Sequence, residues 1–177
     1  MLSHARVIEA TGDLDASFEA FRESVLSHSH DRSSVAADVA IARTREAEQH
    51  RASDTWDVLH GPGGLADMEF AAEYLQLTGA GAIARGLVPT FETAAGQGLI
   101  DADLAADFSR AVMLWQNLDG FFRMACADAF DPGLAPADQK ATIAKACDVD
   151  SFDVLPGMIA DIAYRAATHL DSLLADA

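Results

Sequence analysis

Apolar side chains recur along much of this chain at steps of three and four residues, the spacing of one face of an α-helix. The clearest stripe consists of Leu104, Phe108, Ala111, Trp115, Leu118, Phe122, Ala125 and Ala129. A second stripe consists of Phe152, Leu155, Ile159, Ile162, Ala166, Leu170 and Leu173. The two stripes predict two helices that pack along each other.

Shorter stretches of the same periodicity predict further helices, and Gly, Pro, Asp and Ser lie between them. Residues that favour strands never gather into alternating runs, so we expect an all-α fold, a helical bundle of about six or seven helices. The last helix is expected to begin from a cap at Asp150 or Ser151, with Pro156 in its first turns. The predicted helices cover residues 14–28, 33–50, 64–79, 88–97, 102–130, 137–147 and 151–175.

Composition adds limits on partners and location. The 177 residues include 28 acidic and 12 basic side chains, a formal charge of −16 that repels phosphate backbones and anionic lipids. We therefore expect no nucleic-acid partner and no membrane partner. Cys126 and Cys147 are too few for a disulfide framework, which favours reduced thiols and a cytoplasmic location. No targeting segment or long apolar run is recognisable.

A Gly-rich turn, Gly61-Pro62-Gly63-Gly64, leads directly into the predicted helix that carries Asp67 and Glu69. Exposed N–H groups at such a helix start can bind anions. The two carboxylates already complement the positive end of the helix dipole, so a bare phosphate is disfavoured there.

Asp67 does not lie on the polar side of its own helix. Glu69, Glu73 and Gln76 share a polar stripe, whereas Asp67 falls among the apolar positions 70, 71 and 74. A carboxylate in that place must be capped, paired or placed against a neighbouring domain. Two interpretations stay open: a structural carboxylate that accepts backbone N–H groups, and a residue at a domain interface or active site.

Other candidate motifs favour structural interpretations. Asp13-Leu14-Asp15 has the form of a magnesium-binding Asp-x-Asp pair, but it follows a turn and lacks the strand context of nucleotidyltransferases. Arg43 and Arg45 point to different sides of a helix and are expected to be solvated or paired. The cluster His28, His30 and Asp31 has no further ligand at metal-site spacing. We predict no catalytic residue and no metal site in this chain.

The segment from Trp56 to Leu77 closely resembles the glutamine synthetase adenylyltransferase family, whose pattern is an aspartate, a lysine, a Gly-Gly pair, Asp-x-Glu-Phe and a Gln-Leu end. The matching positions are Asp57, Gly63, Gly64, Asp67, Glu69, Phe70, Gln76 and Leu77. The match extends in order over nearly the whole chain, through the segments 5–13, 38–45, 90–99 and 118–124. The chain departs from the pattern at Leu59, where the family usually has lysine.

The resemblance implies a helical domain that follows a nucleotidyltransferase domain in a bifunctional enzyme of nitrogen regulation. Its C-terminal half transfers AMP from ATP to a tyrosine of glutamine synthetase, and Asp67 resembles that half. The related uridylyltransferases of the PII signalling protein share a Gly-Gly-Leu-x-Asp core but lack Glu-Phe, so Glu69-Phe70 favours adenylyltransferase. ATP and Mg²⁺ are implied for the parent enzyme, with no cofactor in this segment.

The chain lacks a Gly-Ser motif followed by a strand with Asp-x-Asp, so we interpret it as a non-catalytic segment of such an enzyme. Residues 1–13 are expected to be the tail of the preceding nucleotidyltransferase domain and residues 14–177 a single helical domain. Implied partners are that domain in cis, glutamine synthetase and the PII protein. The alternative is a free-standing helical interaction module without catalytic activity.

The candidates for domain-interface or substrate-positioning roles are Arg43, Arg45, Gly63, Gly64, Asp67 and Glu69. We expect the Gly-Gly turn and Asp67 to face the catalytic domain and to be open to water in this segment.

Overall fold

The computed structural model describes residues 12–26, 30–50, 54–79, 85–125 and 130–177. Within these ranges the chain forms seven α-helices and a short 3₁₀ turn, without a strand, so the predicted all-α bundle is confirmed. None of the described helices combines the length and the apolar content needed to cross a bilayer. The helices are α1 (Leu14–Leu26), α2 (Arg32–Gln49), α3 (Leu65–Thr78), α4 (Leu87–Gly96), α5 (Ala102–Ala125), α6 (Ala137–Ala146) and α7 (Leu155–Ala175).

The long central helix is shorter than its apolar stripe predicts. α5 has 24 residues, about 36 Å at 1.5 Å per residue. Its stripe is buried through Trp115 and Leu118, but Ala125 is exposed, and Ala129 lies outside the described residues. The predicted helix end at residue 130 is wrong, because Phe130 lies outside any helix and is buried against the ring of Trp56.

The second apolar stripe is buried along α7, as predicted, but the helix begins later than the stripe does. Ser151 accepts a hydrogen bond from the backbone N–H of Asp153 and caps a 3₁₀ turn at Phe152–Val154, which the stripe did not predict. α7 then begins at Leu155, with Pro156 in its first turn, where a missing N–H costs least. α7 packs against α5, as predicted, and its stripe is buried from Leu155 to Leu173.

α3 lies at the centre of the bundle and contacts α2, α4, α5 and α7. Because neighbours surround it, even its polar side is partly covered. Gln76, which the periodicity placed on a polar stripe with Glu69 and Glu73, is fully buried and donates a hydrogen bond to the hydroxyl of Thr90 on α4, at 2.9 Å. The predicted stripe is therefore wrong at its last position.

Four aromatic rings hold the segment before α3 onto the bundle. Trp56 stacks on Phe152 with ring centroids 5.2 Å apart, and its edges meet Phe122 and Phe130. This aromatic cluster joins the turn region, the end of α5 and the approach to α7. The turn that follows Trp56 is thus fixed against the core on one side.

Candidate functional site

The two glycines that end the Gly-rich turn, Gly63 and Gly64, are buried inside the bundle, whereas Pro62 is exposed. Gly63 has φ +74°, a conformation that glycine adopts without steric cost. A Cβ atom there would lie 2.7 Å from the carbonyl carbon of Ala163 on α7, and closer still to its oxygen. The carbonyl oxygen of Gly63 accepts a 3.0 Å hydrogen bond from the indole N–H of Trp115 on α5. Only glycine lets the turn approach both helices this closely.

Carbonyl groups of the segment just before the turn occupy N–H donors at the start of α3. Leu65 donates to the carbonyl of Val58 at 2.9 Å, and Ala66 donates to that of Leu59 at 3.0 Å. Gly64 is also tightly enclosed, since a Cβ there would lie 2.7 Å from the carbonyl oxygen of Gly61. Two of the donors that a helix start can offer to an anion are therefore used within the chain.

Asp67 connects the turn to α2 through a bidentate ion pair. Its carboxylate accepts from Arg43 Nε at 2.8 Å and from Arg43 Nη2 at 2.9 Å. The same carboxylate accepts the backbone N–H of Gly63 at 2.8 Å. Arg43 reaches further, to Asp171 of α7, with Nη1 to Oδ1 at 2.7 Å. Two carboxylates and one guanidinium thus link α2, α3, α7 and the turn.

The surroundings of Arg43 favour its charged form. Burial by itself lowers the pKa of Arg43, but the hydrogen bonds and charges of Asp67 and Asp171 outweigh it and leave that pKa above its usual value. Arg43 is therefore cationic at neutral pH, and its fork geometry matches the carboxylate of Asp67.

This geometry changes how the predicted site residues are interpreted. Asp67 is only 8% exposed and both glycines are buried, so the expectation that this surface is open to water is wrong. The periodicity correctly placed Asp67 on the inner side of α3, and its contact with the Gly63 N–H fits the structural interpretation. Arg45 and Glu69 are exposed on α2 and α3. Roles at a domain interface stay predictions for these residues.

Most of the other motifs that the sequence suggested make contacts only with neighbouring residues or lie outside the described residues. Asp31 caps α2 by accepting the N–H of Ser34 at 2.9 Å, and the Ser33 hydroxyl and that N–H lower its pKa. His28 lies outside the described residues, as does Cys126. Cys147 is a free, half-buried thiol, and burial raises its pKa to about 11, so it is a weak nucleophile at neutral pH.

The structure brings together one group that sequence reasoning missed. His50 and His60 both direct Nδ1 at Oε1 of Glu46, at 3.0 and 2.8 Å, and their rings stack with centroids 4.3 Å apart. Among the described residues, this is the one set of three or more His, Cys, Asp or Glu side chains whose ligand atoms lie within 4.8 Å of one another. The i,i+4 spacing of Glu46 and His50 was the available signal, but His60 joins them only through the path of the turn.

A small groove lies beside the turn, between it and α7. Its volume is about 180 Å³, and Pro62, Trp115 and Ile159 contribute to its walls. Typical small-molecule sites enclose roughly 300–1,000 Å³. The groove is therefore smaller than a usual substrate pocket.

Fold and site together define an all-helical domain in which a Gly-Gly turn and an Asp–Arg pair join α2, α3, α5 and α7. A family model described as GlnD PII-uridylyltransferase matches residues 33–156, a range that contains all of these contacts except those made by α7 beyond residue 156. The chain belongs to this family.

Several curated relatives carry the name bifunctional glutamine synthetase adenylyltransferase/adenylyl-removing enzyme. One from Bradyrhizobium is 29% identical over 98% of this chain, and one from Rhodopseudomonas palustris is 30% identical over 89% of it. A third, from Xanthobacter autotrophicus, is 30% identical over 98%. The chain spans only 16–18% of the length of these relatives. No solved structure matches it. The resemblance to the adenylyltransferases is therefore confirmed.

Proposed function

We propose that this chain is the helical domain of a glutamine synthetase adenylyltransferase, adjoining a nucleotidyltransferase domain and supporting AMP transfer from ATP to glutamine synthetase. The observation that carries the proposal is the similarity of nearly the whole chain to adenylyltransferases about six times its length. Glu69-Phe70 favours this activity over uridylyl transfer, and Asp67 favours the C-terminal, adenylylating half.

In this proposal the Gly-Gly turn acts by shaping the domain. Gly63, Gly64 and Asp67 are buried, so their contribution to AMP transfer passes through the positions of α2, α3 and α7. Exposed residues on α2 and α3 then provide the contact with the catalytic domain, and Arg45 and Glu69 are the candidates. The catalytic domain would supply ATP and Mg²⁺ binding in a cytoplasmic enzyme, with the PII protein as a further partner.

A chimera tests the proposal directly. This chain replaces the matching segment of the Bradyrhizobium relative, and transfer of label from radiolabelled ATP to purified glutamine synthetase is measured. We expect the chimera to transfer AMP, whereas the same enzyme with the segment deleted should not. A folded chimera no more active than the deletion variant would contradict the proposal and favour the free-standing interaction module.

Two variants of the chimera test the exposed candidate on α2. Arg45→Gln removes a charge at the proposed interface, and Arg110→Gln removes a charge from an exposed arginine of α5 that pairs with Asp107. We expect Arg45→Gln to lower AMP transfer roughly ten- to a hundredfold, as for positioning residues elsewhere, and Arg110→Gln to leave it nearly unchanged. Equal effects of the two changes on AMP transfer would show that Arg45 does not lie at the proposed interface.

A further inference from the structure

Glu46, His50 and His60 bring three potential metal ligands to one point on the surface. Glu46 and His50 lie four residues apart at the C-terminal end of α2, so both side chains project from the same side of the helix. His60 comes from the turn before α3. Its ring nitrogen and that of His50 lie 2.8 and 3.0 Å from the same carboxylate oxygen.

We propose that Glu46, His50 and His60 form a binding site for a divalent transition-metal ion, with Zn²⁺ the best match. Two imidazoles and one carboxylate are a donor set that zinc takes in proteins, with solvent in a fourth position. The side chains are 28–47% exposed, so water can reach that position. The charge of −16 on the chain favours a cation.

The distances require only a small adjustment to admit an ion. Ligands of a tetrahedral zinc ion lie about 3.3 Å from one another, because each is about 2.0–2.1 Å from the metal. The observed 2.8 and 3.0 Å separations between nitrogen and oxygen must therefore widen by a few tenths of an ångström. The stacked rings lie 14° from parallel, so one ring must also rotate to direct its nitrogen at the ion. His50, whose side chain is 47% exposed, is the ring free to do so.

Two backbone hydrogen bonds already place the histidines for this role. The N–H of His60 donates to Oδ1 of Asp57 at 3.1 Å, and the N–H of His50 donates to the carbonyl of Glu46 at 2.8 Å. An ion bound between them connects the end of α2 to the segment that leads into Gly63 and Gly64. The site thus reinforces, on the outside of the bundle, the link that Arg43 and Asp67 make inside it.

The test uses the untagged 177-residue chain, stripped with chelator and titrated with Zn²⁺ against a chromophoric competitor, and with Co²⁺ for its visible absorption. We expect one equivalent of Zn²⁺ to bind, a Co²⁺ spectrum of low coordination number, and a higher Tm with Zn²⁺ than with chelator. His50→Ala and His60→Ala should each weaken binding at least about a hundredfold, since even outer partners of metal ligands contribute ten- to a hundredfold.

His169→Ala is the matched control, because His169 is also a partly exposed histidine paired with a carboxylate, Asp107 at 3.2 Å, but belongs to α7. It should leave Zn²⁺ affinity unchanged. Glu46→Gln keeps the size of the side chain and the helix, so it reports on the site even if a histidine variant unfolds. Absence of saturable Zn²⁺ binding to the wild-type chain, or undiminished binding when Glu46→Gln and His50→Ala are combined, overturns the proposal and leaves a hydrogen-bonded cluster only.

Discussion

At the scale of single residues, Asp67 is the most informative position in the chain. It is a first-turn carboxylate that accepts hydrogen bonds from three donors, two of them on one arginine. A partly desolvated pair of this kind is costly to break, because the remaining charge keeps its burial cost and loses its partner. The residue therefore stabilises the domain through the arginine it faces.

Asp67→Asn should lower the free energy of unfolding by about 2–4 kcal/mol, because it keeps the size of the side chain but leaves Arg43 without its bidentate partner. Urea unfolding at neutral pH measures the loss. Asp171→Asn removes the other partner of the same arginine, but that carboxylate is 68% exposed, so its loss should stay below about 1 kcal/mol. Equal losses of unfolding free energy for the two variants would show that the buried pair with Asp67 stabilises the domain no more than the exposed pair with Asp171.

Gly63→Ala should destabilise the domain by about 3–5 kcal/mol, combining the cost of a positive φ with overlap against the backbone of Ala163. Gly98→Ala separates the two effects, since Gly98 has φ +71° but a Cβ there would meet nothing within 4 Å. That control should cost about 1–2 kcal/mol. The measurement is again urea unfolding, and a Gly63→Ala loss no larger than the control would contradict the close approach to α7.

At the scale of elements, α5 and α7 show what the periodicity of apolar residues can predict and what it cannot. The apolar stripe of each predicted which face is buried, because steps of three and four residues keep side chains on one side of a helix. The stripe could not predict where α5 ends. Phe130 directly follows the last position of the stripe and is buried, but it lies outside the helix against Trp56. Periodicity does not show whether an apolar residue at the end of a stripe is buried as part of the helix or as part of the segment after it.

Trp115 connects α5 to the Gly-Gly turn and is completely buried. Trp115→Ala should cost about 3–5 kcal/mol of unfolding free energy, because it removes a large core side chain and the hydrogen bond to Gly63. Met113→Ala, on the same helix at 54% exposure, should change stability by less than about 0.5 kcal/mol. A Trp115→Ala loss below about 1 kcal/mol in urea unfolding would show that the ring does not contribute to the core.

At the scale of the whole molecule, the described helices enclose one core, with α3 at its centre and α2, α4, α5 and α7 around it. The link from Arg43 to Asp67 and Asp171 spans 128 positions of sequence. Such long-range contacts explain why a motif concentrated within about twenty residues depends on α5 and α7 as well.

The isolated 177-residue chain should not transfer AMP, because phosphoryl chemistry of this class needs carboxylates that hold metal ions beside the nucleotide, and the chain lacks an Asp-x-Asp motif in that context. The assay combines the chain with radiolabelled ATP, Mg²⁺ and purified glutamine synthetase, and a full-length adenylyltransferase serves as the positive control. Label on the synthetase in the reaction with the chain would refute this expectation.

The sequence by itself determined the helical class, the approximate helix bounds, the buried faces of α5 and α7 and the inner position of Asp67. Each of these depends on residue spacing within one helix. Only the tertiary structure decided that Gly63 and Gly64 are enclosed, that Gln76 is buried, and that His60 joins Glu46 and His50. These features depend on which helices lie beside one another, and that arrangement results from packing between segments far apart in the chain.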